Sequence, residues 1–390
     1  MRKLSVAGIA LLLFVLAACV PTTPAPTTSV PTSTTASSVT TGATTAPANG
    51  SLPSWLTIYF TKPSVTDEND QNMDHYVAGH VLSVVNAAQK TLDVTSFDLN
   101  LPAFVDALVN AQKRGVKVRV VIDGKNGSQD MRADAADPGK SVDAVQVLQK
   151  GGITVVDDGR SNGLMHDKLI IVDGKTLFMG SWNMSYNDTL RNNNNLLMIT
   201  NPTLIANYQA KFNELFVNKT FGTKAQVKAL TPSLTIEGMQ IENYFSPPDH
   251  VMDKLIAYVQ AAKKSVRFMA FTYTDKDLAN AMIARAQKGV TVEGVIENRG
   301  ASQGAFPLFT CANLPVKTDG NKYTMHHKVI IIDDQTVITG SFNFTNSADE
   351  ANDDNVLILH SPAVAQLYDK EFASVYALGK VADPAKASCN

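Results

Sequence analysis

The sequence predicts an α/β protein in which two similar α-β-α lobes pack about a pseudo-two-fold axis around one shared site. Three observations predict it. Met165-His166-Asp167-Lys168-Leu169-Ile170-Ile171-Val172-Asp173 returns as Met325-His326-His327-Lys328-Val329-Ile330-Ile331-Ile332-Asp333, and Gly180-Ser181-Trp182-Asn183 returns as Gly340-Ser341-Phe342-Asn343. Matched pairs are all 160 positions apart (326 − 166, 343 − 183, 355 − 195), so no insertion intervenes in this stretch. The upstream halves repeat as well, residues 90–123 against 264–297 at an offset of 174 (264 − 90), and each reads as strand, amphipathic helix and strand.

At 390 residues and 44 % apolar content, the chain is long enough to bury a substantial core. Its formal net charge of −2, without a block of like charges, excludes long-range attraction to a polyanion, so any phosphate affinity must be local. Residues 1–18 have the pattern of a signal peptide: Arg2 and Lys3, an apolar run over 7–16, then small residues. Leu16-Ala17-Ala18-Cys19 resembles the lipobox of bacterial lipoproteins, which implies cleavage before Cys19, a lipid on its thiol, and attachment to the outer side of a bacterial membrane. Residues 19–54, nearly all Thr, Ser, Pro, Ala and Val, have too little bulky apolar surface to offset ordering entropy and are expected to form a tether. Cys311 and Cys389 either pair in an oxidising compartment or stay as two thiols.

The first lobe is expected over 55–225. Strands at 92–97 and 116–122 flank a helix ending at Gly115, and the 14-residue difference between the two offsets (174 − 160) places an insert around residues 126–140, expected to be a surface loop and a candidate lid over the site. A closing helix follows at 202–216. The second lobe, 226–390, has strands at 266–271 and 290–296, a helix ending at Gly289, and a closing helix at 362–376.

Side chains alternate along a strand, so His166 and Lys168 project to one side, as do His326 and Lys328. The apolar residues that follow each pair suit a strand covered on both faces. Asp173 falls roughly 23 Å beyond His166 along an extended strand and on the opposite face, so it cannot touch that histidine. Asp173 and Asp333 instead mark hairpin turns, after which Ser181 and Asn183, or Ser341 and Asn343, return beside His and Lys. Lysine and asparagine donate to non-bridging phosphate oxygens, and a neutral histidine can attack phosphorus or pass a proton. In-line displacement needs a nucleophile on one side and an acid on the other, which two facing lobes supply.

The doubled H-x-K-x4-D followed by G-S-x-N is similar to the signature of the phospholipase D superfamily, and the likeness covers both lobes. It implies a covalent phosphohistidine released by water without a metal, with His166 as nucleophile and His326 as general acid. Family members commonly carry a supporting Glu where this chain has Asn194 and Asp354; the difference implies that the two histidines titrate differently. Substrate readings are a phospholipid first, DNA or RNA second because of Gly340-Ser341-Phe342-Asn343-Phe344-Thr345, and an inactive binding lipoprotein third. A monomer is expected, with no cofactor. Trp182 and Phe342 either line a groove or pack beneath the hairpins, and His75, His80, His250, His360 and His327 are given no role.

Overall fold

The computed structural model describes residues 51–63, 73, 76–127, 129–133, 141–381 and 389. Outside the described residues lie the signal peptide at 1–18, Cys19 with the tether to residue 50, His75, and residues 134–140 of the insert.

The first lobe is built from apolar strand segments and from helices of which three carry a side-chain cap, from Asp143, Ser185 and Asn201, and two, after Tyr76 and Leu101, carry none. In order they are β1 (Leu56–Phe60), α1 (Val77–Asn86), β2 (Thr91–Ser96), α2 (Pro102–Lys113), β3 (Lys117–Ile122), β4 (Asp130–Ala133), β5 (Ser141–Asp143) and α3 (Ala144–Lys150). They continue as β6 (Thr154–Asp157), β7 (Leu169–Val172), β8 (Thr176–Gly180), α4 (Tyr186–Leu190), β9 (Asn195–Ile199) and α5 (Pro202–Phe216). The second lobe comprises β10 (Ser233–Ile236), β11 (Met239–Ser246), α6 (Val251–Ala261), β12 (Ser265–Ala270), α7 (Lys276–Ala286), β13 (Thr291–Ile296), α8 (Phe306–Cys311) and β14 (Val316–Thr318). It ends with β15 (Lys328–Ile332), β16 (Thr336–Gly340), α9 (Asn346–Glu350), β17 (Asp354–His360), α10 (Pro362–Leu378) and β18 (Lys380–Val381).

The first sheet has the order β1-β9-β8-β7-β2-β3-β6, and the second repeats it as β11-β17-β16-β15-β12-β13-β14 with β10 and β18 added at its edges. β2 pairs parallel with β3, and β12 with β13, as a strand-helix-strand unit requires; β7–β8–β9 and β15–β16–β17 are antiparallel meanders. Leu169 and Ile171, with Val329 and Ile331, enter one central core shared by both lobes, which also holds Tyr208 and Phe212 of α5 and Tyr368 and Phe372 of α10. Ile170 and Val172 face an outer core under α1 and α2, and Ile330 and Ile332 face its counterpart in the second lobe. Burial on both faces explains why these strands are apolar throughout. Asn201 and Ser361 cap α5 and α10 ahead of Pro202 and Pro362, so the closing helices start where the sequence places them.

The insert departs from its expected form. Residues 130–133 and 141–143 pair as the hairpin β4–β5 rather than forming a loop, Asp143 then caps α3, and among the described residues of the insert none lines the cleft between the lobes. Its polar composition hid the strand signal, which is only three to four residues long on each side.

Candidate active site

The two motifs meet because each lobe completes the other. The regular ladders of β7 and β15 begin at Leu169 and Lys328, so His166 to Lys168 extend beyond the first sheet instead of lying within it. There the His166 N–H donates to the Asp353 carbonyl at 2.9 Å and the Asp353 N–H donates to Leu164 O at 2.8 Å. The mirror contacts join the His326 N–H to Asn193 O and the Asn193 N–H to Thr324 O, both at 2.9 Å. Asp123 and Glu297, at the ends of the matched upstream blocks, accept from the backbone N–H of Met165 and Met325 at 3.1 and 2.8 Å.

Each histidine is held by the opposite lobe. His166 Nδ1 meets Asp354 Oδ1 directly at 2.7 Å, whereas His326 Nδ1 meets Asn194 Oδ1 at 2.8 Å. The Ser341 hydroxyl donates to the same Asp354 oxygen at 2.6 Å, and the Ser181 hydroxyl donates to the Asn194 oxygen at 2.9 Å. A side chain at Gly180 or Gly340 would strike the carbonyl oxygen of Asn195 or Asn355, so glycine lets each serine approach its partner. Burial pushes the Asp354 carboxyl up, but His166 and its hydrogen bond, then Lys168 and Ser341, outweigh this and hold it below the usual range. His166 is lowered by burial and by Lys168, with Asp354 opposing. His326 lies well below the ordinary value, through burial, Lys328, Lys168 and His166, although Asp188 Oδ2 stands 3.5 Å from its Nδ1, beyond the Asn194 bond.

The remaining motif residues surround this pair. Lys168 and Lys328 are buried, and each donates one N–H to the carbonyl of its own histidine, at 2.6 and 2.8 Å. Burial brings Lys168 down to about 8 against the pull of Asp354, Asp188, Asp167 and Asp98; Lys328 falls well below its ordinary value through burial and the charge of Lys168. Asn183 Nδ2 donates to Asp188 Oδ2 at 2.7 Å, and the buried Oδ1 atoms of Asn183 and Asn343 have no hydrogen-bond partner. A cleft of about 550 Å³ opens over His166, His326, Asn183 and Asn343, walled by Phe97, Asp98 and Asp188 on one side and by Phe271, Thr272 and Arg299 on the other.

Phe97 and Phe271 were not singled out from sequence, yet each sets its ring edge-on to a histidine, at centroid distances of 4.9 and 4.6 Å. Their signal was available, since both close a matched strand at the 174 offset (271 − 97). Asp188 was also missed; its lobe-2 counterpart is Ala348 (348 − 160), so the repeat gave no cue. Burial, then Asp188, pushes the carboxyl of Asp98 up to about 6.

Asp173 and Asp333 lie away from the cleft. With φ of 53° and 56° they occupy the hairpin turns, and their carboxylates accept from the backbone N–H groups of Gln89, Lys90 and Thr91, or of Lys263, Lys264 and Ser265. Trp182 and Phe342 are buried in the outer cores rather than exposed in the cleft. His80 stacks on Tyr59, His360 bonds Glu242, and His327, left without a role above, bonds Asn195 and Glu371. Cys311 and Cys389 form a disulfide.

The family described as "Cardiolipin synthase, PLD-like domain" matches residues 81–216 and 255–376, one match in each repeat. A phospholipase D of Rickettsia prowazekii (strain Madrid E) is 29 % identical over 160 residues, which is 40 % of this chain and 78 % of that protein. A mitochondrial cardiolipin hydrolase of Chlamydomonas reinhardtii is 30 % identical over 131 residues, 33 % of this chain and 59 % of the relative. The crystal structure of a phosphatidylserine synthase from Haemophilus influenzae Rd KW20 shares the two-lobed fold, with a TM-score of 0.61 and 12 % identity across 83 % of this chain and 87 % of that one.

Proposed function

The chain belongs to the phospholipase D superfamily, and from that premise we propose that it hydrolyses phosphodiester bonds, those of phospholipids ahead of those of nucleic acids, with His166 as nucleophile and His326 as general acid. One observation supports this division of labour above the rest: Nδ1 of His166 bonds a carboxylate at 2.7 Å, while Nδ1 of His326 bonds an amide at 2.8 Å and has the Asp188 carboxylate only at 3.5 Å. A carboxylate stabilises the positive charge that an imidazole gains on attacking phosphorus; an amide orients the ring without that stabilisation, which leaves His326 readier to give up a proton.

In the first step Nε2 of His166 attacks phosphorus, the bond to the leaving alcohol breaks, and Nε2–H of His326 passes its proton to the leaving oxygen. In the second, His326 takes a proton from water as the water oxygen attacks phosphorus, the P–N bond breaks, and His166 is regenerated with a phosphomonoester as product. We assign the remaining N–H groups of Lys168 and Lys328, with Asn343 in the cleft wall, to stabilising charge on the non-bridging oxygens.

Phospholipid is favoured because the chain carries no excess positive charge and the cleft wall holds Asp98 and Asp188, both poorly suited to a polyanion. The names of the two relatives point the same way. The Cys311–Cys389 disulfide fits an oxidising compartment outside the cytoplasm, and with the Cys19 lipobox we place the enzyme on the outer face of a bacterial membrane. The test is purified protein in EDTA with labelled phosphatidylcholine, cardiolipin and single-stranded DNA. Release of phosphatidic acid or of cardiolipin fragments is expected; turnover of DNA alone overturns the substrate choice, and loss of all activity in EDTA overturns the metal-free mechanism.

A further inference from the structure

Behind His166 lies a second carboxylate that the reaction does not use. Asp167 is fully buried and, by strand alternation, points away from the cleft. It faces Lys211 and Tyr208 of α5, Asp353 and Asp354 of the opposite lobe, and Lys168 on its own segment. Its Oδ1 accepts from Asn355 Nδ2 at 2.6 Å, and its Oδ2 has no hydrogen-bond partner.

Asn355 directly follows Asp354. The dipeptide Asp354-Asn355 therefore grips His166-Asp167 at two points, 2.7 Å on the cleft side and 2.6 Å on the hidden side. Asn194-Asn195 grips His326-His327 in the same way, at 2.8 and 3.3 Å. Beyond that the lobes diverge: Glu371 of α10 engages His327 Nε2 at 3.0 Å, but its counterpart on α5, Lys211 (371 − 160), is drawn to Asp353 and Glu214 at 3.0 and 3.1 Å. The hydrogen bond from Asn355 is thus what ties Asp167 to the Asp354-Asn355 dipeptide of the opposite lobe.

We propose that Asp167 is a positioning residue for the nucleophile, fixing Asp354 through Asn355 and, through Asp354, the tautomer and ring plane of His166. The inference rests on the reading of His166 as nucleophile. Burial pushes the Asp167 carboxyl up to about 7, against Lys211 and the Asn355 bond and with Asp354 and Asp353 adding to the rise. Ionisation within the working pH range strengthens its bond to Asn355 and helps keep Lys168 protonated.

The test compares Asp167→Ala, which removes the acceptor, with Asp167→Asn, whose amide oxygen still accepts from Asn355. Asp167→Ala is expected to lower kcat by about 10- to 100-fold with KM within about twofold, the size of effect seen when a group behind an active side chain is lost. Asp167→Asn is expected to restore kcat to within about threefold of wild type and to abolish the inflection of kcat near pH 7. A readout without substrate separates failure of this inference from failure of the proposed activity. The Nδ1 proton resonance of His166, assigned by its absence in His166→Asn, should persist in Asp167→Asn and be lost in Asp167→Ala. Wild-type kcat with an unchanged resonance in Asp167→Ala overturns the proposal; so does an unchanged pH inflection in Asp167→Asn, which holds even if the alanine variant does not fold.

Discussion

The half-site around His166 and the half-site around His326 share a backbone, a lysine, a serine and an edge-on phenylalanine, and differ in the group bonded behind the ring: Asp354 for one, Asn194 for the other, with Asp188 farther off at 3.5 Å. Two positions made equivalent by the repeat have thus been given unequal electrostatics by a change from amide to carboxylate. The difference teaches that pseudo-symmetry supplies the geometry of in-line displacement, while the departure from symmetry supplies its direction. Cross-lobe support has a second consequence: neither histidine is properly held by its own lobe, so the site exists only when the lobes are docked.

The comparison breaks most severely when either ring is removed. His166→Asn and His326→Asn should each lower kcat at least about 10⁴-fold on a natural phosphodiester. With an activated substrate whose leaving group needs no proton, His326→Asn should still release one equivalent of alcohol in a burst, and His166→Asn should release none.

Exchanging the supports comes next. Asp354→Asn should lower kcat by about 100-fold and Asn194→Ala by about 10-fold, because only the former removes charge from behind the nucleophile. Asp354→Asn should also move the acid limb of the pH profile lower, since loss of the carboxylate leaves burial and Lys168 unopposed in lowering His166.

In the wild-type enzyme, attack needs neutral His166, so activity rises as pH climbs through a value below 6.5. Leaving-group protonation needs charged His326, so kcat/KM should fall as pH rises through a value well below 6.5, and fall again through about 8 as Lys168 loses its charge. A pH profile of kcat/KM checks both limbs.

The smallest effect on catalysis is expected at the turns. Asp173→Ala removes the acceptor of three backbone N–H groups and should cost about 2 kcal/mol of stability, read by urea unfolding, with kcat within about threefold of wild type.

Much of this was legible in the sequence. The repeat, the motif residues and the turn role of Asp173 and Asp333 follow from spacing and strand parity, which are short-range properties. Register confirms the short range: Leu169 pairs with Met179 and Val329 with Thr339, so the returning strands place the serines and asparagines beside the motifs. The pairing of His166 with Asp354 joins residues 188 apart, and strand parity has no bearing on a contact made across the lobe interface. Asp188 escaped for a related reason, being a feature of one lobe only. The β4–β5 hairpin was too short and too polar to stand out, and the fate of Trp182 and Phe342 depended on packing that periodicity does not resolve.

The central claim is that the inequality of the supports makes His166 the nucleophile. Rapid acid-free quenching of the His326→Asn variant with an activated phosphodiester, followed by peptide mapping by mass spectrometry, tests it most directly. The phosphoryl adduct is expected on the peptide carrying His166. An adduct in wild type on His326, or none on His166 in a variant that gives the alcohol burst, would contradict it.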